Sequence, residues 1–434
     1  MVVIADDLTG AADCAASSAA SGRSAVVLLH SAEHQQSHAA WPDNDILCID
    51  TNSRSLSDER GAELISRFVG MCDSLNADCP GYVLYKKIDS TLRGNVAGEI
   101  AALLNARRSI NPGATRLSIL MAPALPTQGR TTVGGRLIVH GVPLEKTDVW
   151  QCEASTAQSD IVQLLADTGL SCELVGINTV RSCLNRLQRA IMQSTERVDV
   201  VVCDAETDDD LRAIAKASLG NSSITALVGS GGLATHIPQA IGIAPHTNPR
   251  PLNFASGATL FVVGSAASVT RQQTRLLESI PDVATFRATP AVLHKSPMMC
   301  AQIVQTLQSS RDVLIVVDGG EHCSTHGGQF LTQALSDLVS RCAQFLGALV
   351  ATGGETARAV LDALGIQRLR LLGEVEAGLP FSVADGWARA LPVITKAGTF
   401  GSPQALVRCR EFLRHLERVP VRLHSNHTFS AHES

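Results

Sequence analysis

The sequence predicts an α/β protein made of two α/β domains, with mostly parallel sheets and an active-site cleft between them. Short apolar runs alternate with helical patterns along nearly the whole chain, which is typical of the strand–helix units that build parallel sheets. Apolar residues make up 45% of the chain and aromatic residues only 3%, so we expect a core of Ala, Leu, Val and Ile. An aperiodic stretch rich in Pro, Asn and Ser, residues 243–258, interrupts the alternation and is the best linker candidate.

Length and the linker together define the predicted domains. A chain of 434 residues is long for one domain, and usual domain sizes favour two or three. We therefore expect an N-terminal domain over residues 1–245 and a C-terminal domain over residues 256–420. Residues 421–434 are expected to form a polar tail.

Charge and hydropathy exclude several functional classes. The formal net charge is -5 and the pI is about 6.2, so the chain lacks the basic field that nucleic-acid binding requires. No apolar run reaches the ~18 residues of a membrane span. The chain begins with a strand followed by two acids, which is unlike a signal peptide. We expect no nucleic-acid or membrane partner, and a homo-oligomer is compatible with the sequence.

The cysteines indicate a reducing compartment. Twelve cysteines are scattered without any CxxC pair, which argues against a zinc knuckle or a thioredoxin-type motif. Most have apolar neighbours, as Cys48 and Cys203 do, and this is expected for buried, reduced thiols. We therefore predict a cytoplasmic protein.

Two adjacent carboxylates follow the first predicted strand. Residues 2–5 form this strand, Asp6 and Asp7 come directly after it, and an Ala-rich helix follows. Ligands of open α/β sheets bind at the carboxyl ends of the strands, so these acids are candidate ligand contacts. Alternatively, one acid caps the helix and the other is solvated.

A second polar cluster follows the strand at residues 82–87. It contains Lys86, Lys87, Asp89, Ser90 and Arg93, and two of the six lysines of the chain lie in it. With two arginines that follow other strands, Arg54 and Arg130, the cluster offers what a small anionic polyol needs. Arg54, Lys86 or Lys87, Arg93 and Arg130 can bind a carboxylate. Asp7, Asp89 and Ser90 can hold hydroxyl groups, and either aspartate can accept the proton of an attacking hydroxyl.

The predicted C-terminal domain contains three small-residue turns at strand ends. The most distinctive is Thr352–Thr356, which joins an apolar strand to a helix. Backbone N–H groups at such a turn favour an anion, usually a phosphate, although the turn can also be a simple tight strand–helix connection. Companion turns at residues 264–268 and 396–401, the latter beginning with Lys396, favour a nucleotide phosphate site.

Other nucleotide-binding motifs fit less well. No Gly-Lys dipeptide occurs in the sequence, so a P-loop is excluded. The HRD and DFG motifs of protein kinases are also missing. Residues 229–234 match the dinucleotide pattern G-x-G-x-x-A, but no acid follows at the spacing that the ribose requires. The acidic run at residues 208–210 is interpreted as a solvated helix cap.

The sequence resembles the four-carbon acid sugar kinases. The matching stretches follow one another along nearly the whole chain: VIADDLTGAAD (3–13), YKKIDSTLRGN (85–95), PALPTQGRT (123–131), GSGGLA (229–234), the turn at Gly264 and Ser265, TGGETA (352–357) and KAGTFGSP (396–403). The form KKIDSTLRG resembles the threonate kinase branch, whereas 3-oxotetronate kinases carry a Cys-Ser-Thr-Phe core there. One departure is Ala267, where relatives often have a second serine.

This resemblance implies an N-terminal substrate domain and a C-terminal ATP domain. It implies substrate contacts for Asp7, Arg54, Lys87, Ile88, Asp89 and Ser90, to which the residue chemistry adds Arg93 and Arg130. It implies ATP contacts for Ser265, Gly353, Gly354, Glu355, Thr356, Gly398 and Gly401, to which the turn pattern adds Lys396. Asp89, Asp7 and Lys87 are the candidate catalytic residues. No residue is assigned as a direct metal ligand; Mg²⁺ would bridge the phosphates, with Glu355 and Asp318 as candidate water-mediated partners.

The predicted activity is phosphorylation of the terminal hydroxyl of a four-carbon sugar acid by ATP. D-Threonate is the first choice of substrate, and D-erythronate and 3-oxotetronate are the alternatives. Two hypotheses from other classes are an NAD-dependent oxidoreductase that uses residues 229–234, and a two-lobed sugar-acid binding protein without catalytic activity.

Overall fold

The computed structural model describes residues 1–30, 44–74, 81–114, 116–147, 159–246, 252–265, 267–288, 297–317, 335–387 and 389–416. The chain forms two compact units: unit 1 comprises Met1–Cys14 and Ser37–Ala244, and unit 2 comprises Ala15–Gln36 and Pro245–Ser434. Strands and helices alternate in both units, which confirms the predicted α/β class. The predicted polar tail lies outside the described residues.

The strands, in chain order, are β1 (Val2–Ala5), β2 (Ala25–Leu29), β3 (Ile46–Asp50), β4 (Leu84–Lys87), β5 (Ser118–Ala122), β6 (Arg130–Val133), β7 (Arg136–Val139), β8 (Val142–Pro143), β9 (Cys172–Val175), β10 (Val200–Cys203), β11 (Ile224–Gly229), β12 (Ala258–Val263), β13 (Val283–Ala288), β14 (Asp312–Val317), β15 (Leu346–Thr352), β16 (Arg368–Glu374), β17 (Pro380–Ala384) and β18 (Leu391–Lys396).

The helices are α1 (Leu8–Ala20), α2 (Asp58–Ser74), α3 (Val96–Ile110), α4 (Ile161–Ala166), α5 (Ile177–Val180), α6 (Leu184–Thr195), α7 (Asp208–Ser218), α8 (Gly231–Ala240), α9 (Ser268–Glu278), α10 (Pro297–Gln308), α11 (Gly354–Ala363) and α12 (Ala405–Leu416). Residues 335–342 are also helical. None of the helices in the described ranges is long and apolar enough to cross a membrane.

Unit 1 is built on a parallel sheet with the strand order β3-β1-β4-β11-β5-β10-β9. Its strands are short, β-branched and buried along their length, as in β1 and β10. Continuous apolar strands are expected in parallel sheets because helices cover both faces. Strands β6, β7 and β8 form a separate antiparallel sheet.

Unit 2 combines a parallel and an antiparallel part in one sheet. Strands β13-β14-β12-β15-β18 are parallel, and β17, β16 and β2 continue from β18 with antiparallel pairing. Strand β2 pairs with β16 through partners such as Val26 and Arg370. Residues 15–36 thus belong to unit 2, which differs from the predicted division at residue 245. The reason is a long-range backbone pairing that local sequence patterns do not encode.

The core of unit 2 uses several of the few aromatic residues. Phe261, Phe381 and Leu413 belong to one buried cluster. The ring of Phe381 meets that of Phe412 edge-on, with centroids 4.8 Å apart, a favourable arrangement for two aromatic quadrupoles. This cluster lies beneath β12, β15 and β18, the strands whose carboxyl ends carry the three predicted turns.

The acidic run at residues 208–210 begins α7, as predicted for a cap. Thr207 and Asp210 form a reciprocal capping box. However, Asp210 is not solvated: it is buried and accepts two hydrogen bonds from Arg181, at 2.9 and 3.0 Å. Burial disfavours the charged carboxylate, but the hydrogen bonds from Arg181 and the backbone outweigh it and lower the pKa of Asp210.

Candidate active-site residues in the two units

Three strand ends of unit 1 lie side by side. Strand β1 runs between β3 and β4, and Ala5 at its end pairs with Asp50 on one side and Lys87 on the other. The loops that follow these strands therefore leave the sheet at the same level, as expected for parallel strands. This register brings together the two polar clusters that the sequence analysis selected.

Arg54 joins the two carboxylates that follow β1. Its guanidinium binds Asp6 through two hydrogen bonds, Nε to Oδ2 at 2.7 Å and Nη2 to Oδ1 at 3.1 Å. A third contact runs from Nη1 to Oδ2 of Asp7 at 2.8 Å. Burial favours a neutral Asp6, but Arg54 and two lysines outweigh it and lower the pKa of Asp6. A fork-shaped, permanently charged side chain is what such bidentate pairing requires.

Asp89 is held by a second arginine. Arg93 donates from Nε to Oδ2 at 2.9 Å and from Nη2 to Oδ1 at 2.8 Å, while the backbone N–H of Thr91 donates at 2.9 Å and its hydroxyl also donates. Burial opposes ionisation of Asp89, but Arg54, Arg93 and these hydrogen bonds hold its pKa well below the usual 3.8. Asp89 is thus ionised at neutral pH and its oxygens are engaged.

Asp7 caps the first helix. Its Oδ1 accepts the N–H of Gly10 at 2.9 Å, and its Oδ2 accepts the hydroxyl of Thr9 at 2.5 Å. The ammonium of Lys87 also lies beside Gly10. A Cβ atom on Gly10 would come within 2.7 Å of both Asp7 Oδ1 and Lys87 Nζ. Gly10 therefore lets an acid and a lysine approach the same point at the start of α1.

The structure distinguishes the two adjacent lysines. Lys86 is fully buried and its ammonium pairs with Oε2 of Glu99 at 2.7 Å. Lys87 instead donates to the carbonyl of Ile88 at 2.8 Å and lies beside Gly10. Neighbouring residues of a strand point to opposite faces, so only Lys87 joins the cluster around Asp7.

Two further predicted residues differ in accessibility. Arg130 begins β6, is half-buried and donates from Nη1 to the hydroxyl of Ser90. Burial lowers the pKa of Arg130, against the opposing effect of Asp89. Within the described parts of the chain, Ser90 is the one hydrogen-bond partner of this guanidinium. Ile88, by contrast, is buried, and its N–H and C=O bond to Gly229 and Lys87.

In unit 2 the three predicted turns pack against one another. A Cβ atom on Gly264 would lie 1.8 Å from Oγ1 of Thr356, and one on Gly398 would lie 2.1 Å from Oγ of Ser265. The N–H of Gly353 donates to the carbonyl of Lys396 at 2.9 Å, and Gly353 has a φ of 94°. Glycine is required at these positions because a side chain would push the turns apart.

Among the described residues, the backbone N–H groups of Gly354, Glu355 and Thr356 at the start of α11 have no hydrogen-bond acceptor. Its N-cap is Gly353, which has no side chain to cap the helix. The first N–H groups of a helix have no intrahelical acceptor and favour an anion. Gly354 and Thr356 are partly exposed and Glu355 is exposed. Ser265 and Gly398, each partly exposed, lie beside this helix start.

Lys396 has a different environment from the one that the sequence suggested. Its ammonium is fully buried and donates to the carbonyls of Ala397 at 2.9 Å, Gly398 at 3.2 Å and Phe400 at 3.0 Å. Burial lowers its pKa to about 8. Lys396 therefore organises the turn at residues 397–400 from inside the unit.

The last predicted turn residue, Gly401, serves packing. It has a φ of 86°, and a Cβ atom there would come within 3.0 Å of Oε1 of Glu376. The same oxygen accepts the N–H of Ser402 at 2.6 Å. Gln273 of α9 also donates to the carbonyl of Ser402, at 2.8 Å.

The dinucleotide-like turn at residues 229–234 is occupied by protein atoms. A Cβ atom on Gly229 would lie 2.4 Å from the carbonyl oxygen of Ala122, and one on Gly232 would lie 2.5 Å from that of Ala124. Ser230 caps α8 with its own hydroxyl, which accepts the N–H of Gly232 at 3.1 Å. These glycines are explained by close packing of β11 and α8 against the end of β5 and the residues that follow it, which disfavours the oxidoreductase hypothesis.

No metal cluster is evident in the ranges that the structure describes: no group of three or more His, Cys, Asp or Glu side chains is placed to hold an ion. Glu355 is a single exposed carboxylate in the first turn of α11. Asp318, the other candidate partner of Mg²⁺, lies outside the described residues.

Comparisons with known proteins match one domain model to each half of the chain. A model of a sugar-binding N-terminal domain matches residues 1–237, and a model of a nucleotide-binding C-terminal domain matches residues 260–406. A Cupriavidus necator D-threonate kinase is 38% identical over 423 residues, which cover 93% of this chain and 96% of the relative. The chain belongs to the four-carbon acid sugar kinase family. It is an ATP-dependent sugar-acid kinase, as the resemblance implied.

Other members of this kinase family are similar over comparable lengths. A Salmonella typhimurium D-threonate kinase is 30% identical over 436 residues, covering 94% of this chain and 96% of the relative. A Heliobacterium modesticaldum D-erythronate kinase is 28% identical over 445 residues, covering 95% and 97%. Solved structures share the fold: the Haemophilus influenzae protein HI1011 has a TM-score of 0.73 at 20% identity and covers 95% of this chain and 100% of its own.

Sequence reasoning did not indicate several contacts that position these candidate residues. Asp6 was visible as one of two adjacent acids, but its pairing with Arg54 depends on the loop after β3. For Thr91, which donates to Asp89, the only indication in the sequence was its position in the DSTLR stretch. Glu99 lies thirteen residues after Lys86 in an ordinary helical pattern, and nothing local indicates their ion pair.

Proposed function

We propose that this kinase transfers the γ-phosphoryl group of ATP to the terminal (4-) hydroxyl of D-threonate, giving 4-phospho-D-threonate. The observation that carries the proposal is the cluster of Arg54, Asp7, Lys87 and Asp89 at adjacent strand ends of unit 1, which Arg130 at the start of β6 joins through its hydrogen bond to Ser90. It offers cations for a carboxylate and acids for hydroxyl groups. The 38% identity to a protein named D-threonate kinase supports this substrate.

Arg130 is the cation that we assign to the substrate carboxylate. The guanidinium of Arg54 is engaged by Asp6 and Asp7, and Arg93 makes a bidentate pair with Asp89. Arg130 makes one hydrogen bond to Ser90 and is half-buried. Its remaining N–H groups can form the parallel pair of hydrogen bonds that a carboxylate prefers. Ser90 then lies beside the acid, where its hydroxyl can contact a substrate hydroxyl.

Asp7 is the residue that we assign as proton acceptor. Asp89 is a weak base because two arginines and Thr91 hold its pKa well below the usual range. The Asp7 carboxylate receives one arginine N–H, is the more exposed of the two at 13% against 7%, and faces Lys87. Since phosphoryl transfer depends mainly on positioning and charge, Lys87 is placed to stabilise negative charge on the substrate.

The three packed turns of unit 2 are the proposed ATP phosphate site. Free N–H groups at the start of α11, with the dipole of that helix, suit a phosphate. Ser265, Thr356 and Gly398 lie against this start and would line the site. Mg²⁺ neutralises phosphate charge when it is bound, and Glu355 would hold it through water. Lys396 would act indirectly, by shaping the turn. We expect the reaction to occur in the cytoplasm.

A panel of four-carbon sugar acids tests the proposal. ADP release with D-threonate, D-erythronate and 3-oxotetronate gives kcat/KM for each, and phosphorus–proton coupling in the product locates the phosphate. We expect the highest kcat/KM with D-threonate and phosphate on the terminal carbon. A higher value for D-erythronate or 3-oxotetronate would transfer the assignment to that acid. No turnover of any acid, with binding that ATP does not affect, would favour the non-catalytic binding protein instead.

The role of Arg130 has a matched control. Arg130→Met should raise KM for the acid by roughly tenfold or more and leave KM for ATP unchanged, because one bidentate charge pair is lost. Arg136, an exposed arginine of the neighbouring strand β7, pairs with Asp160 at 3.3 Å. Arg136→Met should leave both constants unchanged. Equal effects of the two variants would exclude Arg130 as the carboxylate ligand.

A further inference from the structure

A buried network connects α3 to the loop that carries Arg54. The carboxylate of Glu99, in the first turn of α3, accepts the hydroxyl proton of Ser53 at Oε1 and pairs with Lys86 at Oε2, 2.7 Å away. Ser53 is fully buried and Glu99 is 2% exposed. This network lies outside the residues to which the proposed function assigns a role.

The network reaches two parts of the proposed substrate site. Ser53 is the residue before Arg54, and its hydroxyl also lies 2.9 Å from that of Thr51, which bonds to the carbonyl of Ala5 at 2.8 Å. Lys86 precedes Lys87, and its ammonium donates to the Lys87 carbonyl at 3.1 Å. Glu99 thus fixes the backbone on both sides of Asp7.

The ion pair is enclosed in unit 1. Lys86 is fully buried, and its ammonium contacts the Glu99 carboxylate and the Lys87 carbonyl. A buried ion pair contributes little to stability compared with apolar residues of the same shape. Apolar residues in place of the ion pair could not accept the hydrogen bond from the Ser53 hydroxyl. They could therefore not fix the geometry of the loop.

We infer that Glu99, through Ser53, is a positioning residue for Arg54, and that Lys86 orients the Glu99 carboxylate for this purpose. The inference rests on the proposed function for its kinetic consequences. Without the Ser53 hydroxyl, the loop at residues 51–56 loses its hydrogen bond to Glu99 of α3, and Arg54 no longer presents Asp6 and Asp7 in one arrangement. The remaining bond to the start of α3, from Nδ2 of Asn95 to the carbonyl of Leu56 at 2.7 Å, lies two residues beyond Arg54. A displacement of about 1 Å in such a group can reduce catalysis by up to about a hundredfold.

Ser53→Ala is the first test, because it removes the bridge and leaves the Lys86–Glu99 pair in place. We expect kcat/KM for D-threonate to fall roughly tenfold or more through KM, with KM for ATP unchanged. The backbone N–H groups of Ser53 and Arg54 both donate to the carbonyl of Asp6, at 3.0 and 3.2 Å. Their hydrogen exchange should become faster in the variant.

Ser118→Ala is the matched control. Ser118 is fully buried in β5, and its hydroxyl donates to the carbonyls of Thr195 and Val198, at 2.8 and 2.7 Å. Both variants lose one buried hydroxyl, so each should lower Tm by about 2–4 °C. Ser118→Ala should leave the kinetic constants unchanged. If Ser53→Ala also leaves KM for the acid unchanged, the inference is overturned.

A double variant covers the case in which Glu99 variants fail to fold. Glu99→Leu alone leaves a buried ammonium and should lower Tm strongly, whereas Glu99→Leu with Lys86→Met should recover most of the loss. We expect the double variant to be folded but to keep the raised KM for the acid. Recovery of both Tm and KM would show that the pair is only structural.

The outcomes separate this inference from the proposed function. If the wild-type protein turns over no four-carbon acid, the proposed function fails, and hydrogen exchange at Ser53 and Arg54 then decides the inference. Faster exchange in Ser53→Ala but not in Ser118→Ala supports the positioning role. Unchanged exchange overturns it.

Discussion

Arg54 and Asp6 form a planar, two-point contact, with Nε to Oδ2 at 2.7 Å and Nη2 to Oδ1 at 3.1 Å. The remaining terminal nitrogen, Nη1, binds Asp7 at 2.8 Å. One guanidinium therefore orders both acids that follow β1. Lysine has one nitrogen and cannot make this set of parallel bonds.

Replacing Arg54 by lysine should therefore damage activity although charge is kept. We expect kcat/KM for the sugar acid to fall roughly a hundredfold, because Asp7 loses its orientation. ADP release over a range of acid concentrations measures this. Arg60 is the control: it is exposed and pairs with Glu63 at 3.3 Å on the surface of α2. An Arg54→Lys variant as active as Arg60→Lys would contradict the interpretation.

Substituting Gly10 by alanine should also reduce activity. The new Cβ atom would lie 2.7 Å from both Asp7 Oδ1 and Lys87 Nζ, so one of them must move. Gly70 in α2 is the control, since a Cβ atom there meets nothing within 4 Å. Alanine is favoured over glycine in helices by about 0.5–1 kcal/mol, so Gly70→Ala should raise Tm, whereas Gly10→Ala should lower both Tm and kcat/KM. A fully active Gly10→Ala protein would refute the close approach of Asp7 and Lys87.

The low pKa of Asp89 predicts an acid-dependent loss of stability. The folded-state pKa of Asp89 is well below the usual 3.8, so its carboxylate stabilises the fold fully above pH 3.8. This stabilisation is lost as the pH falls from 3.8 toward the folded-state pKa. Thermal melts of wild type and Asp89→Asn should differ most at pH 6–7 and converge below about pH 3.8. Asp209, exposed and paired with Arg212, is the control, and Asp209→Asn should have little effect at any pH. A constant Tm difference for Asp89→Asn across this range would show that its charge is not involved.

The lowered pKa of Lys396 predicts that its contribution to stability changes at alkaline pH. Burial lowers its pKa from 10.5 to about 8, so the folded state binds fewer protons than the unfolded state between these values. Its contribution to stability therefore rises with pH across that window. The Tm of wild type minus that of Lys396→Met should increase between pH 8 and 10. The neutral amine has one donor fewer for the carbonyls of Ala397, Gly398 and Phe400, so ATP affinity should fall over the same range. A Tm difference that is flat from pH 7 to 10 would contradict the shifted pKa.

Much of the architecture followed from local patterns. The alternation of strands and helices predicted the α/β class, and the polar stretches after the strands at residues 2–5 and 82–87 predicted where side chains would gather. These inferences succeed because the hydrophobic periodicity of a strand or a helix can be recognised within a short window of sequence. The direction of parallel strands then places successive loops at the same edge.

The pairing of β2 with β16 could not be predicted in this way. Their sequences lie more than 300 residues apart, and nothing in the Ala25–Leu29 strand specifies an antiparallel partner at Arg368–Glu374. The predicted division at residue 245 assumed that the chain stays in one unit until the linker. Register and partner choice depend on which surfaces are buried together, which is a property of the folded chain.

By itself, the sequence determined the fold class, the family and a set of candidate side chains for contact with a sugar acid and a nucleotide. Only the tertiary structure decided the surroundings of these side chains. It placed Lys86 against Glu99 and Lys87 beside Gly10, although the two lysines are adjacent in sequence. It buried Lys396 beneath the turn at residues 397–400, although the turn pattern had made this lysine a candidate ATP contact. Period-two alternation separates neighbours onto opposite faces, and a different helix contacts each lysine, α3 at Lys86 and α1 at Lys87.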